Sequence, residues 1–272
     1  MGITKLTKKQ IQYYRRLTEK RYQHKYRKFA VEGTRFVMEA LLASDSSFYP
    51  VSEILIDPIL FKKPYGNEIQ KIARGKHIPI VQIKRYQFEQ ISTNKNPQGI
   101  MAICEMPSLS DDERLDSFLT TDGTILFLDG VQDPGNCGTL IRSAAAFDSS
   151  GVIIGENTAK LFNPKVIQAS AGAIFHIPVV EIVNRDSVEI IKKFKNTGFK
   201  ILVSSADGMP VDRISITRKT LLVIGNEGNG VRKSIIDIAD KKISIPIAEN
   251  IESLNAAVAG SIILYILKSK TE

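Results

Sequence analysis

Three stretches in the second half of the chain combine glycines with polar or charged side chains, and each includes or follows an apolar segment. They read DGVQDPGNCGTLIRSAAAF (129–147), VIGNEGNGV (223–231) and IPIAENIESLNAAVAG (245–260). Glycines let a backbone approach a ligand closely, and a loop built only to turn tightly has no need of a carboxylate such as that of Glu227. Arg142 is likewise an always-charged side chain within an apolar, small-residue helix. These residue types indicate a ligand-binding or catalytic site.

The elements that position these stretches follow a regular alternation of apolar strands with helical or loop segments. The predicted strands are TILFLDG, GVIIG, IPVVEI, KILVSSA, TLLVIG and KISIPI. Strands this apolar, alternating with helices, predict a mostly parallel sheet covered on both faces. In open α/β sheets ligands bind outside the carboxyl ends of the strands, which is where the three stretches are expected.

The first half of the chain predicts a separate and smaller α/β unit. Short β-branched runs alternate there with helix-like segments, and these runs are EILI, IPIVQI and GIMAICEM. We therefore divide the chain into three parts. They are a basic N-terminal helix with a small α/β domain (1–107), a polar linker or short connecting helix (108–121) and a C-terminal α/β domain (122–272).

The composition is that of a soluble globular protein, with 43% hydrophobic and 24% charged residues. No apolar run reaches the roughly 20 residues that a membrane span needs, and the N-terminal MGITKLTKKQ lacks the apolar stretch of a secretory signal. We expect a cytoplasmic protein that does not contact a membrane. Cys104 and Cys137 lie far apart and the histidines are scattered, so the spacing of zinc ligands is missing and no metal is expected.

The net charge of +8 is concentrated at the N-terminus. Residues 1–35 contain eleven Lys and Arg against two Glu, which makes this segment +9 and the remainder about neutral. Tyrosines interleave with these charges, and the combination suits phosphate contacts together with stacking on unpaired bases. The alternative is a solvated helix whose tyrosines pack on their own domain. The candidate RNA-binding residues are Lys8, Lys9, Arg15, Arg16, Arg21, Lys25, Arg27 and Lys28.

Each of the three stretches also has a plainer interpretation when it is taken alone. The glycines around Glu227 can form a simple turn, and their spacing is not that of a dinucleotide-binding fingerprint. Ser253 is expected to cap the following apolar helix, whereas the amide of Asn255 needs a partner if it is buried. Cys137 is expected to be a small buried residue, because no histidine lies near it in sequence to activate a nucleophilic thiolate.

Taken together, the three stretches resemble the motifs of the SpoU/TrmH family of RNA ribose 2′-O-methyltransferases, members of the knotted SPOUT superfamily. The matching residues of the first motif are Asn136, Gly138, Arg142, Ala144 and Phe147. Those of the second are Gly225, Glu227 and Gly230, and those of the third are Ile245, Pro246, Ser253, Leu254 and Asn255. The segment KFAVEGTRFVMEAL and, less closely, NPQGIMAI are similar to the family's N-terminal substrate-binding domain.

The chain departs from the family pattern in two places, at three residues in all. Asp148 stands where Gly or Ala is usual, and Ala256 and Ala257 stand where Val and Ser are common. Neither change affects a residue expected to be catalytic. Ala257 lacks the hydroxyl that a serine would place near the donor pocket, and this difference bears on the structure of the pocket more than on the activity.

The resemblance implies a C-terminal trefoil-knot (SPOUT) methyltransferase domain that uses S-adenosylmethionine as methyl donor. It also implies a homodimer in which residues of two subunits meet at one active site. The implied donor contacts are Gly225, Ile245 and Leu254, and the implied catalytic residues are Arg142 with Asn136, Glu227, Ser253 and Asn255. Arg142 has two possible roles, removal of the proton from the 2′-hydroxyl and bidentate binding of the phosphate beside the ribose. The second role needs no loss of a proton from the guanidinium, which stays charged at neutral pH.

The sequence therefore predicts an S-adenosylmethionine-dependent enzyme that methylates a ribose 2′-hydroxyl in RNA. Ribosomal RNA is preferred over transfer RNA as the substrate because of the added N-terminal domain. The alternative is a non-catalytic RNA-binding protein that keeps the knotted fold, against which the complete set of polar residues argues. A nucleotide-binding oxidoreductase would fit the α/β pattern, but the chain lacks the fingerprint loop after the first strand.

Overall fold

The computed structural model describes residues 3–44, 48–182, 185–248 and 250–270, which form two compact units. The first unit comprises Met1–Ser108 and Phe162–His176, and the second comprises Leu109–Leu161 and Ile177–Glu272. All three stretches with candidate polar residues belong to the second unit. In the described part of the chain, no helix has the length and apolar character that crossing a membrane requires.

The secondary structure elements are numbered along the chain. The helices are α1 (Lys8–Arg16), α2 (Lys20–Tyr26), α3 (Thr34–Ala43), α4 (Pro64–Gly75), α5 (Arg85–Ile91), α6 (Asp111–Leu119), α7 (Pro134–Ala146), α8 (Pro164–Ser170), α9 (Ser187–Asn196), α10 (Lys233–Ile236) and α11 (Ala256–Ser269). The strands are β1 (Lys28–Glu32), β2 (Val51–Ile56), β3 (Ile80–Gln82), β4 (Ile100–Glu105), β5 (Gly123–Asp129), β6 (Gly151–Ile154), β7 (Val179–Glu181), β8 (Lys200–Pro210), β9 (Lys219–Gly225) and β10 (Lys241–Ser244). Short 3-10 helices span Pro58–Lys62, Ala173–Phe175 and Val211–Arg213.

The first unit is built on a four-stranded sheet in the order β1, β4, β2, β3. β4 runs antiparallel to both β1 and β2, whereas β3 runs parallel to β2. Helix α1 begins with a capping box, in which the hydroxyl of Thr7 accepts from the Gln10 amide and the Gln10 side chain accepts from the Thr7 amide. Leu17 and Phe88 pack with Leu55 in the core under α1 and α5. The predicted small α/β unit is confirmed.

The second unit contains a six-stranded sheet in the order β10, β8, β9, β5, β6, β7, and every strand pair in it is parallel. Each of the six apolar segments predicted as strands forms one of these strands, which confirms the mostly parallel α/β fold. Of the two alternatives for residues 108–121, the helix forms, as α6. It starts with a capping box between Ser110 and Glu113, and Leu115 and Phe118 are buried in the core of this unit.

Strand register and helix packing bring the three stretches together. Asp129 and Gly225 pair as the last residues of β5 and β9, so the loops that follow these strands start side by side. Helices α7 and α11 also approach closely. A Cβ atom on Gly260 would lie 2.4 Å from Cδ2 of Leu140, so the missing side chain lets α11 pack closely on α7. The third stretch is therefore held against the first.

Candidate active site

The first stretch begins helix α7 in a defined way. Pro134 occupies the first turn, and the carboxylate of Asp133 accepts a hydrogen bond from the Asn136 amide at 2.8 Å. The helix buries Leu140 and Ile141 along one face. Arg142 is exposed, and among the described residues it has no hydrogen bond or ion pair. The apolar residues around Arg142 in the sequence therefore face the core, whereas its guanidinium is free to meet a ligand.

The carboxylate of Glu227, in the second stretch, accepts hydrogen bonds at the start of α7. Oε1 of Glu227 accepts from Nδ2 of Asn136 at 3.0 Å and from the Asp133 amide at 3.2 Å, and Oε2 accepts from the Gln132 amide at 3.2 Å. Burial raises the pKa of Glu227, but these hydrogen bonds together outweigh it and hold the pKa below its ordinary value. Glu227 is therefore a carboxylate acceptor at neutral pH and not an acid.

The third stretch joins this network through Asn255. Its Oδ1 accepts from the amides of Ala257 at 2.9 Å and Val258 at 3.2 Å, which caps α11, and its Nδ2 donates to Oδ1 of Asn136 at 3.0 Å. The expectation that Ser253 caps this helix is wrong, because the chain is not yet helical at Leu254 and the cap falls on Asn255. Ser253 is exposed and makes no hydrogen bond among the described residues.

The glycine-rich loop is a tight turn that Asn226 holds in place. Asn226 and Gly230 exchange two backbone hydrogen bonds of 3.0 and 2.9 Å, and the Asn226 side chain donates to the Gly130 carbonyl at 2.8 Å. A Cβ atom on Gly225 would lie 2.2 Å from the carbonyl carbon of Gly230, so this position excludes every other residue. The tight turn held by Asn226 therefore also positions Glu227, which lies within it.

Comparison with known proteins identifies the family. The profile of the SpoU rRNA Methylase family matches residues 123–265, more than half of the chain, and that of the MRM3-like substrate binding domain matches residues 8–102. This chain belongs to the SpoU rRNA methylase family. Among its relatives, the 23S rRNA (guanosine(2553)-2′-O)-methyltransferase RlmP of Bacillus subtilis is 32% identical over 256 residues, which cover 94% of each chain.

Solved structures agree with this assignment to the SpoU family. The SpoU methyltransferase AviRb from Streptomyces viridochromogenes, solved in complex with AdoMet, is 26% identical with a TM-score of 0.82, and the match covers 97% of this chain and 98% of AviRb. An AdoMet-bound rRNA methyltransferase from Sinorhizobium meliloti has the same fold, with a TM-score of 0.81 at 24% identity over 98% of this chain and 97% of that one.

The residues expected to contact the methyl donor in this SpoU protein surround the same edge of the sheet. Gly225 ends β9, Ile245 follows β10, and Leu254 immediately precedes Asn255. Ile245 and Leu254 are half-buried, and among the described residues their backbone groups form no hydrogen bond. Their main-chain donors and acceptors are thus available to a ligand.

The structure shows the placement of Asp148 and Ala257, two of the three residues that depart from the SpoU pattern. Asp148 has a φ of +58°, the left-handed conformation that favours glycine, and its carboxylate accepts from Nζ of Lys268 at 3.1 Å. The side chain of Ala257 is buried in the packed face of α11. Neither residue belongs to the network of Asn136, Glu227 and Asn255.

Cys137 is buried, as expected from the sequence. Burial, followed by nearby carboxylates, raises the pKa of its thiol to about 12. A thiol with this pKa is not ionised at neutral pH, and the thiolate is the nucleophilic form. The Cys137 thiol is therefore not activated as a nucleophile in this SpoU protein.

Sequence reasoning missed an ion-pair network beneath the site. The fully buried carboxylate of Asp129 accepts from the Arg232 amide at 3.0 Å and from its Nε at 2.8 Å, and NH1 of Arg232 donates to Glu156 at 3.0 Å. This network ties the end of β5 to the segment that follows the glycine-rich loop. The available signal was a carboxylate at the end of an apolar strand, since a buried charge requires a partner.

The basic residues of the first unit fall into two groups. Arg27 donates to the Pro107 carbonyl, and Lys28 contacts Glu105 at 3.4 Å and the Ser52 hydroxyl at 3.1 Å, so both are engaged within the unit. The remaining candidates form no ion pair among the described residues, and they are Lys8, Lys9, Arg15, Arg16, Arg21 and Lys25. These six cations stay available to an external acidic partner.

Proposed function

We propose that the protein transfers a methyl group from S-adenosylmethionine to a ribose 2′-hydroxyl of RNA, with ribosomal RNA as the preferred substrate. The observation that carries the proposal is the bridge at Asn136, whose side chain hydrogen-bonds to both Glu227 and Asn255 and so joins all three motifs in one site. The names of the relative RlmP, a 2′-O-methyltransferase of 23S rRNA, and of AdoMet-bound AviRb support the same activity and donor. Ribosomal RNA as the substrate implies a reaction in the cytoplasm.

The residues around Gly225, Ile245 and Leu254 fit the methyl donor. An adenosine needs apolar cover for its base and backbone groups for its polar edges. Ile247 and Ile251, in the loops beside these residues, are 38% and 49% exposed and supply apolar surface, while the backbone of Ile245 and Leu254 supplies free donors and acceptors. S-adenosylmethionine, when bound, supplies a sulfonium methyl group that is already activated for transfer.

The remaining task of the protein is to orient the ribose and favour loss of the hydroxyl proton. We assign Arg142 to bidentate grip of the phosphate next to the target ribose, since a guanidinium does not give up its proton near neutral pH. Glu227 stays ionised and fixes the amide of Asn136, so that this side chain presents one orientation to the substrate. Ser253 and Asn255 complete the polar wall of the site.

We further propose that the active unit is a homodimer whose protomers share each site. Arg142 lies six residues beyond Asn136 on α7, about 9 Å along the helix axis at 1.5 Å per residue. It takes no part in the network around Asn136 in its own chain. Val258 and Tyr265 of α11 are 48% and 58% exposed, which leaves an apolar surface for a second copy.

The experiment incubates the protein with methyl-labelled donor and ribosomal RNA from a strain lacking the gene. We expect label in the RNA at a nucleotide linkage that resists alkaline cleavage, which is the property of a methylated 2′-hydroxyl. Absence of label from every RNA, together with no calorimetric signal for donor binding, would favour the non-catalytic RNA-binding protein instead.

A further inference from the structure

The first unit carries an ordered cluster of rings and cations on α1 and α2. The ring of Tyr22 lies nearly parallel to that of Tyr26, with centroids 6.2 Å apart and planes inclined by 15°, and Tyr26 meets Tyr13 edge-on at 5.0 Å. The guanidinium of Arg16 sits 4.5 Å from the centroid of Tyr22. We call Tyr13, Tyr22, Tyr26 and Arg16 the stacking cluster. None of these four side chains is fully buried.

Tyr13 and Tyr26 of the stacking cluster pack on one side against the hydrophobic core of the first unit, but the cations over the rings lack acidic partners in the described part of the chain. Arg16, Arg21 and Lys25 all lie over tyrosine rings, and none of them has a carboxylate partner among the described residues. A guanidinium stacked on a ring can still donate hydrogen bonds from its N–H groups at the edge. The arrangement is therefore suited to a planar ligand that also bears negative charge.

A cleft along the neighbouring face of α1 extends this surface. It has a volume of about 540 Å³ and is lined by Lys8, Lys9 and Arg15 of α1 and by Glu89 and Gln90 of α5. Residues 8, 12 and 15 recur at helical spacing on the face next to that of residues 9, 13 and 16. The cations of the cleft thus run beside the stacking cluster along one helix.

We propose that the stacking cluster and this cleft bind unpaired nucleotides of the RNA substrate, with bases on the rings and Arg16 and phosphates along Lys8, Lys9 and Arg15. The inference rests on the proposed function for its substrate class. Bases expose their faces only where they are unpaired, whereas a duplex offers the protein mainly phosphates and 2′-hydroxyls. The protein then selects single-stranded segments beside the methylated ribose.

The test measures binding of the full-length protein to a fluorescein-labelled 12-nucleotide single strand and to the matching RNA duplex by fluorescence anisotropy. We expect Tyr22→Leu to weaken single-strand binding about tenfold, because stacking on an aromatic ring is removed, and to change duplex binding less than twofold. Tyr22→Phe keeps the ring and should bind like the wild type. Tyr86→Leu is the matched control, since Tyr86 is an exposed tyrosine of the same unit outside the cluster.

Three results would overturn the proposal: equal weakening for single strand and duplex, equal weakening by Tyr86→Leu, or tighter wild-type binding to the duplex. Thermal melting of each variant separates loss of binding from loss of folding. Replacing Lys8, Lys9 and Arg15 by Gln should also reduce the slope of log affinity against log salt by about 2, since single strands release about 0.7 counterions per phosphate contact. An unchanged slope would remove the cleft from the site.

The same variants distinguish this inference from the proposed function. Tyr22→Leu should raise KM for RNA while kcat at saturating RNA stays unchanged. A wild-type protein that selects single strands but transfers no methyl group would contradict the proposed reaction and leave the stacking cluster supported. If the protein transfers methyl groups and the KM for RNA is the same in wild type and Tyr22→Leu, the proposed reaction is supported and the role of the stacking cluster is contradicted.

Discussion

Nδ2 of Asn255 donates a hydrogen bond to Oδ1 of Asn136 across 3.0 Å, joining residues 119 positions apart in the chain. The other end of the Asn136 amide donates to Glu227, and Oδ1 of Asn255 caps α11. The side-chain amides of Asn136 and Asn255 therefore each have hydrogen-bond partners that distinguish the oxygen from the nitrogen. The orientation of Asn136 is fixed from both sides, which is the property expected of a side chain that positions a substrate.

Asn136→Asp should disrupt this arrangement without changing its shape. The new carboxylate would face Glu227 and replace a hydrogen bond by repulsion, so we expect loss of about 1 kcal/mol of stability and at least a hundredfold slower methyl transfer. Thermal melting and single-turnover rates measure the two effects. Asn229→Asp makes the same change in the glycine-rich loop, where the Asn229 side chain has no hydrogen bond among the described residues, and should leave both quantities near the wild-type values.

Mixing two inactive variants tests the shared active site. Asn136→Ala and Arg142→Ala should each abolish methyl transfer, but their heterodimer would contain one site with an intact Asn136 from one chain and an intact Arg142 from the other. We expect refolded mixtures to regain activity up to about a quarter of the wild-type level, counting one intact site in half of the dimers. Activity that stays at zero in a mixture with proven heterodimers would put both residues in the same chain's site.

The lowered pKa of Glu227 predicts a specific dependence of stability on pH. A depressed folded pKa stabilises the protein above the unfolded value of about 4.3, and this contribution disappears as the pH falls through the folded pKa. Wild type should therefore melt above Glu227→Gln at pH 7, and the gap should narrow on acidification below about pH 4. Melting curves from pH 7 to pH 3 provide the comparison, and a gap independent of pH would argue against the ionised network.

Asp129→Asn should destabilise the second unit although Asp129 touches no expected substrate. The change leaves Arg232 without its buried charged partner, and hydrogen bonds between charged groups contribute about 2 kcal/mol. Chemical denaturation measures the loss. Asp148→Asn removes an ion pair at a carboxylate that is 82% exposed and keeps a residue type that tolerates the left-handed conformation, so this control should change stability by less than about 0.5 kcal/mol.

Much of this architecture follows from local sequence pattern. Apolar strands alternating with helices suffice to predict the parallel sheet, and the position of the motifs after strands suffices to predict a common edge. Sequence pattern does not locate the cap of α11, because Ser253 and Asn255 are both good caps and only the end of the preceding extended segment decides between them.

Relationships over long sequence distances were not predictable from pattern. Asp129 and Arg232 pair across 103 positions, and the carboxylate at the end of β5 indicates that a partner is needed but not which residue supplies it. The packing of Phe162–His176 with the first unit was not predictable for the same reason. This segment lies within residues 122–272 of the sequence, but its contacts are with the first unit. Such contacts depend on the assembled fold, which one chain's periodicity does not encode.

The position of the transferred methyl group distinguishes methylation of the ribose from methylation of the base. Ribosomal RNA treated with the protein and labelled donor is digested to nucleosides, and mass spectrometry assigns the added 14 mass units to the ribose or to the base. We predict methyl on the ribose for the wild type and none for Arg142→Ala, a variant that should melt like the wild type because Arg142 is exposed and unpaired among the described residues. Methyl on a base, or an equal amount of ribose methylation by Arg142→Ala, would contradict a ribose methyl transfer that depends on Arg142.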